Sequence, residues 1–311
     1  MYADCAQQVF REIQWAYTSF FALREAGKTD CSAPGFRKKT FLSPIRYPRV
    51  NTPRAGVYVF RHKGKTYLRI SLGTQREDGV RFLQLRIDVD PRTPLDSIRN
   101  LQITYDTLSG QFEARLVCEV EGSKPAPGTG SLALDLGECW LVAGVFDEEE
   151  EFLLAGQHLK SLRRYWQKVR THVKPPSEDN PHRSKRYAQI SRKESRQIRQ
   201  LLHIASKYVL ERGVEKGVGT IYLGDLTDIR DEMDYGKRRN QRLHAWPWKM
   251  FTDMLPYKAE RGGILVVSVS ERNTSRTCPK CGLVKKSNRV TRGMYRGSKC
   301  EFEHHADLVR T

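Results

Sequence analysis

Three acidic residues stand in or just after an apolar run, and a fourth lies near the end of the chain. Asp135 interrupts the run Leu132-Ala-Leu-Asp-Leu-Gly137, Asp225 follows Ile221-Tyr-Leu-Gly224, Glu271 follows Leu265-Val-Val-Ser-Val-Ser270, and Asp307 lies close to the C-terminus. A carboxylate inside a strand is costly to bury without a partner. Asp135 therefore either bonds a neighbouring turn or holds a cation. If the strands lie side by side, three of these carboxylates can converge. Carboxylate oxygens suit hard cations such as Mg²⁺, and two such ions about 4 Å apart stabilise the attacking and leaving oxygens of phosphodiester cleavage. Nuclease chemistry is the reading these acids support.

A second group is built for a softer metal. In Thr277-Cys278-Pro-Lys-Cys281-Gly282 two thiols two residues apart can bite one ion, and the glycine allows the turn beneath them. Cys300 follows downstream, and no thioredoxin-like strand precedes the pair, which disfavours a redox motif. Cys278, Cys281 and Cys300 are thus candidate zinc ligands, with His304 or His305 available as the fourth and His304 the first choice. No second Cys-x-x-Cys exists, because Gly297 stands three residues before Cys300.

The whole chain is basic. Its 311 residues hold 54 Lys+Arg against 36 Asp+Glu, a net charge of +18, with a pI near 9.7 and a mean hydropathy of −0.61. Such a balance favours a polyanionic partner, since each neutralised phosphate releases counterions. Residues 160–216 carry 16 basic and 5 acidic residues, and residues 272–311 carry 10 and 3. No apolar run is long enough to span a membrane, and residues 1–21 lack a basic-then-apolar signal pattern. The seven cysteines are odd in number and three cluster, which favours metal over disulfides.

The elements that must position these residues fall into two domains. Residues 1–26 read as a helix with Val9, Phe10, Ile13, Trp15, Ala16 and Phe20 at helical spacing, packing on the next unit. Residues 57–121 alternate with period two, as in Leu68, Ile70 and Leu72 or Leu83, Leu85, Ile87 and Val89. This predicts antiparallel strands joined by turns at 62–65 and 108–110, in a small barrel or sandwich. The Pro- and Gly-rich stretch 122–130 is the linker. Beyond it the pattern predicts two strands with a hairpin at the acidic run 147–151, helices over 159–170 and 184–212, a strand at 220–223, a helix at 240–254 and a strand at 264–269. That series is a mixed α/β sheet.

Taken together, the stretches LALDLG (132–137), IYLGDLTDIR (221–230), NQRLHAWPW (240–248), YKAERGGI (257–264), ERNTSRTCPKCG (271–282) and KCEFEHHAD (299–307) resemble the TnpB/OrfB proteins of insertion sequences, relatives of the type V CRISPR effector nucleases. The resemblance covers nearly the whole chain. It implies a β-barrel-like nucleic-acid-binding domain over residues 1–121, with Pro34-Gly-Phe-Arg37 at its front. An RNase H-like (RuvC) domain over 131–311 follows, with a zinc-ribbon insertion at 272–306. It further implies RNA-guided, Mg²⁺-dependent cleavage of DNA in the prokaryotic cytoplasm at the nucleoid, with a guide transcribed from the transposon end. In such systems base pairing reads the sequence, while the protein reads a short flanking motif and duplex shape.

Carried over by position, Asp135 resembles the first RuvC acid and Asp307 the last. Many relatives carry Glu where this chain has Gly224, and Asp225 would point to the other face of its strand. Glu271 is then the expected relocated second acid, with Asp225 the alternative. Gly297 stands where the third zinc cysteine is expected. The basic helices at 160–216 would track the guide–target heteroduplex, and Tyr295 and Arg296 would touch the strand reaching the site. Met1 falls inside what is an internal helix in relatives, and the chain stops just after Asp307, so truncation at both ends is expected. A catalytically inactive RNA-guided binder or a decayed transposon remnant is the rival reading. Strand transfer by a tyrosine nucleophile is not, since no tyrosine stands beside a His pair.

Overall fold

The computed structural model describes residues 3–36, 42–73, 78–91, 93–119, 128–147, 150–173, 185–225, 246–270, 274–291 and 293–309. They form two compact units, 1–121 and 122–311.

The first unit begins with helix α1 (Ala3–Glu25). Its first turn is anchored by Asp4, whose two carboxylate oxygens accept from Arg49 Nε and Nη2 at 2.9 and 2.8 Å. Along most of its length the apolar face has no cover. Val9, Phe10, Ile13 and Trp15 are exposed, and only Asp4, Cys5 and Gln8 are buried. The expectation that these apolar residues pack is therefore corrected: beyond the buried start of the helix the contact with the body of the unit is polar, Glu12 pairing with Arg46 at 3.4 Å.

Among the described residues, six strands follow in two antiparallel sheets. Strands β2 (Val57–His62), β3 (Lys65–Ser71) and β4 (Phe82–Ile87) form a meander. Strand β5 (Ile98–Asp106) pairs with β1 (Ile45–Tyr47) and β6 (Gln111–Cys118). The β2–β3 turn is tight because Lys63 and Gly64 both take left-handed φ, at 49° and 72°, which matches the twist of the flanking strands. Val57, Val59, Leu68 and Ile70 of one sheet meet Ile98 and Leu101 of the other in a shared core. Asn51 ties the layers together. Its amide donates to the carbonyls of Val59 and Leu95 at 3.0 Å and accepts from Val59 N–H at 2.7 Å. The two ladders are separate, so among the described residues the arrangement is a pair of packed sheets rather than a hydrogen-bonded closed barrel.

The second unit is built on a five-stranded mixed sheet. Its strands are β7 (Gly130–Asp135), β8 (Trp140–Phe146), β9 (Glu151–Ala155), β10 (Val218–Gly224) and β11 (Leu265–Val269), in spatial order β11-β10-β7-β8-β9. Strands β7, β9, β10 and β11 run in one direction, and β8 runs against its neighbours β7 and β9. Helices α2 (Gln157–Thr171), α3 (Lys185–Glu215) and α4 (Trp248–Arg261) complete the frame. From α3, Ile198, Leu202 and Val209 join Leu132, Leu134, Ile221, Phe251 and Leu255 in one core. Burying each such side chain contributes roughly 1.5–3 kcal/mol. Helix α4 runs through Pro256 to Arg261, past the predicted stop at 254. The predicted start at 240 lies outside the described residues. No helix among the described residues is long and apolar enough to cross a membrane.

The tail of this unit is a small cysteine-bearing knuckle. Strands β12 (Met294–Arg296) and β13 (Glu303–His305) pair antiparallel. Asn288, fully buried, donates to the carbonyls of Arg276 and Leu283 and accepts from the Ser298 N–H and hydroxyl. A buried amide satisfied on both sides fixes the two halves of the segment to one another.

Candidate functional site

Asp135 is the last residue of β7, central in the sheet, and only 8% exposed. It pairs with Ala143 of β8. On the other side Leu134 pairs with Leu223, which brings Gly224 level with Asp135, and Gly224 in turn pairs with Val269 of β11. Side chains alternate across a strand, so the sheet neighbour able to share the face of Asp135 is a glycine. Asp225 is one residue on, and its N–H donates to the Val269 carbonyl at 2.7 Å. Glu271 lies outside the described residues.

Asp307 follows β13. Its carboxylate accepts from Arg289 Nη2 at 2.8 Å, and its N–H donates to His305 Nδ1 at 3.3 Å. Among the described residues, Asp135, Asp225 and Asp307 do not form a three-ligand group. The one such group is Cys278, Cys281 and Cys300. The chemistry of hard oxygen donors at a strand end suits a divalent cation, but the described residues do not supply a complete donor set for it.

The three thiols do fit a metal. Their sulfur atoms all lie within 4.8 Å of one another, and Cys278 and Cys300 are 3.4 Å apart. Tetrahedral Zn²⁺ with bonds of about 2.3 Å places its sulfurs about 3.8 Å apart. The knuckle is set by two backbone bonds, Gly282 N–H to the Cys278 carbonyl at 2.8 Å and Cys278 N–H to the Leu283 carbonyl at 3.0 Å. Gly282 takes φ 70°, a conformation a side chain would strain. Burial pushes the Cys278 thiol up. The N–H donors of Cys281 and Lys280 and the neighbouring thiols outweigh it and bring the group down to about 7. In Cys300 the Phe302 N–H lowers the thiol, and burial with the facing Cys278 sulfur lifts it above the ordinary value. A thiolate near neutrality is the form a metal binds.

Two expectations for this segment meet a different geometry. His304 is not in the sulfur cluster; its Nε2 lies 3.4 Å from Glu151, and its ring stacks on Phe302 at 5.8 Å. Tyr295, expected to touch a nucleic-acid strand, is 1% exposed in the core of the knuckle. Arg296 beside it is exposed and pairs with Glu303 at 3.0 Å. The two-residue period of β12 places one inside and the other out.

Two family models match the chain. One, described as a probable transposase (OrfB_IS605), matches residues 115–230, and the other, the Cas12f1-like TNB domain, matches residues 248–310. Among curated proteins, the CRISPR-associated endodeoxyribonuclease Cas12f1 of Sulfoacidibacillus thermotolerans is 33% identical over 105 residues, 34% of this chain and 24% of that protein. The Cas12f1 of Syntrophomonas palmitatica is 26% identical over 113 residues, 36% of this chain and 22% of that protein. The match thus spans under a quarter of the length of these relatives. Among solved structures, a Cas12f1–sgRNA–target DNA complex superposes with a TM-score of 0.64 at 14% identity, covering 94% of this chain and 68% of that one. The chain thus resembles the TnpB/OrfB transposases and the type V effectors. CasPhi-2 (Cas12j) bound to crRNA and phosphorothioate DNA gives a TM-score of 0.52 at 13% identity over 79% of this chain and 56% of that one. At these identities the likeness is one of fold.

The first unit carries a surface that the apolar periodicity passed over. The residues of β2–β4 alternating with the core set are Tyr58, Phe60, Tyr67, Arg69, Phe82, Gln84 and Arg86. Arg69 lies over the rings of Phe60 and Phe82, at 5.0 and 5.6 Å, and Phe60 stacks on Tyr67 at 5.8 Å. Aromatic rings and guanidinium planes on one sheet face are what unpaired bases and phosphates recognise. The opposite parity of the same strands was the signal for it. In the second unit, the predicted basic helices are partly structural. Arg170 pairs with the buried Glu194, Lys160 with Glu138, and Arg212 and Lys216 with Glu150. Arg164, Lys168, Lys193 and Arg199 remain exposed.

Proposed function

We propose that the chain is an RNA-guided, Mg²⁺-dependent DNA endonuclease of the transposon-associated type. The observation that carries this reading is Asp135, a nearly buried carboxylate ending the central parallel strand of a sheet shared with the type V effectors. Counted within the unit, the strand order 3-2-1-4-5 with an antiparallel second strand supports an RNase H-like (RuvC) domain. Asp135, Glu271 and Asp307 would hold the magnesium. Gly224 beside Asp135 favours Glu271, two residues beyond Val269 of the same row, over Asp225 as the second acid. Bound there, divalent ions would supply an activated water and neutralise the charge developing on the phosphate.

The remaining residues hold the nucleic acid. Arg164, Lys168, Lys193 and Arg199 line up phosphates of a guide–target duplex, and the Phe60–Arg69–Phe82 face takes guide RNA or the flanking duplex in the cytoplasm. Cys278, Cys281 and Cys300 hold a structural zinc. The test is purification of the protein with RNA expressed from its own flanking DNA, then incubation with a plasmid library with and without Mg²⁺, for wild type and Asp135→Ala. Cuts requiring both Mg²⁺ and Asp135 are expected. Guide-matched binding without cuts would replace the nuclease by a silent binder, and loss of both would mark a remnant.

A further inference from the structure

Position 297 bears on how the metal in the cysteine cluster is completed. A Cβ built on Gly297 would lie 3.1 Å from both the Cys278 and the Cys300 sulfur. The side-chain direction at 297 thus points into the cluster, and the glycine leaves that corner without a ligand. Its backbone is pinned there. Gly297 N–H donates to the Phe302 carbonyl at 2.8 Å, and its own carbonyl accepts from Glu301 N–H at 2.9 Å. Nor does the backbone demand a glycine, because Gly297 is not among the residues with positive φ. The missing donor is a property of the side chain alone.

The nearby imidazoles have other partners. His305 Nδ1 accepts the Asp307 N–H at 3.3 Å, and its ring meets Trp140 edge-on at 6.1 Å. His304 Nε2 faces Glu151. Its Nδ1 is buried with no hydrogen-bond partner among the described residues, which makes His304, after a ring movement, the rival donor. Cys281 lies at the surface while Cys278 is buried, so the cluster has one side that solvent species can reach. Zn²⁺ with three protein ligands keeps its fourth position for an exchangeable ligand.

We infer that the zinc centre of this chain is a three-thiolate site whose fourth position, facing Gly297, is open to a small external ligand of the thiolate or imidazole class. This rests on the zinc reading of the cluster. The centre is then a ligand-responsive joint in the segment that carries Asp307, rather than a closed structural knot.

The test uses the full chain, reduced, metal-free and free of oxygen, loaded with Co²⁺ as a spectroscopic stand-in for zinc. Wild type should bind one Co²⁺ with sulfur-to-cobalt charge-transfer bands, and added 2-mercaptoethanol or imidazole should shift the visible d–d bands saturably. Gly297→Cys should show a four-thiolate spectrum from the start, indifferent to added ligand. Its Co²⁺ affinity should rise about a hundredfold, if the affinity of a four-ligand site is shared evenly among its donors. His304→Ala should respond as wild type does, and it keeps the test open if Gly297→Cys does not fold. A wild-type spectrum indifferent to added ligand would show a protein donor in the fourth position and overturn the inference; loss of that indifference in His304→Ala would name the donor. Failure of wild type to bind while Gly297→Cys binds would overturn it from the other side. Failure of every variant to bind Co²⁺ would remove the zinc reading itself.

Discussion

Gly144 offers a sharp test of how the sheet beneath Asp135 is packed. It pairs with Leu134 on one side and Phe152 on the other, one residue from the Asp135–Ala143 pair. A Cβ at 144 would lie 2.3 Å from Phe152 Cε1, 2.4 Å from Cζ and 3.0 Å from Cδ1. Carbon atoms rest about 3.5–4.0 Å apart, so the ring must retreat by more than about 1 Å. It has little room, since Phe146 and Tyr208 lie at ring distances of 5.8 and 5.9 Å. Gly144→Ala should therefore cost about 1–3 kcal/mol, the usual range for overpacking. Phe152→Ala alone should cost about 3–5 kcal/mol. In the double variant the new methyl enters the vacated space, so the total should fall short of the sum by about 1–3 kcal/mol. Urea unfolding followed by tryptophan fluorescence reads this unit, which holds Trp140, Trp166, Trp246 and Trp248 against Trp15 in the other. Additivity within about 0.5 kcal/mol would refute the clash.

Other outcomes follow from the same geometry. Gln197→Leu strips the acceptor from the buried Trp166 indole, 2.6 Å away, and should cost about 1–2 kcal/mol in the same urea assay; no change would show that the bond is not needed. Arg289→Gln removes the cation paired with Asp307, so the Mg²⁺ concentration for half-maximal cleavage should fall, and an unchanged value would count against Asp307 as a metal ligand. Cys278 is lowered to about 7, so the fold favours its thiolate. That preference is present at pH above the ordinary thiol value and is lost as pH falls through about 7. Co²⁺ affinity should therefore be weaker at pH 6 than at pH 8, and a flat profile would contradict the assignment of Cys278 as a ligand.

Much of this was legible in the chain. An acid set in an apolar run marked Asp135, the Cys-x-x-Cys spacing marked the knuckle, and the hairpin at 62–65 and the long α3 pattern marked their elements. What escaped has physical reasons. The apolar spacing of α1 predicts a packed face, but periodicity does not say whether a partner exists, and Phe10 is left 74% exposed. The helix expected to end at 254 continues through Pro256 to Arg261. Tyr295 beside Arg296 looked like a binding pair, although strand alternation sends the two to opposite sides. The Phe60–Arg69–Phe82 face sits on the polar parity of strands read only for their apolar one. The close approach of Gly144 to the Phe152 ring is set by cross-strand pairing, which no local pattern contains.

The central claim is that the carboxylate ending β7 runs phosphodiester cleavage with a relocated second acid. It is tested most directly by Mg²⁺-dependent cleavage of a guide-matched plasmid by Asp135→Asn, Glu271→Gln and Asp225→Asn, with target binding measured alongside. The account predicts that the first two bind without cutting while Asp225→Asn still cuts. Cleavage surviving in Asp135→Asn, or lost in Asp225→Asn with Glu271→Gln active, would contradict it.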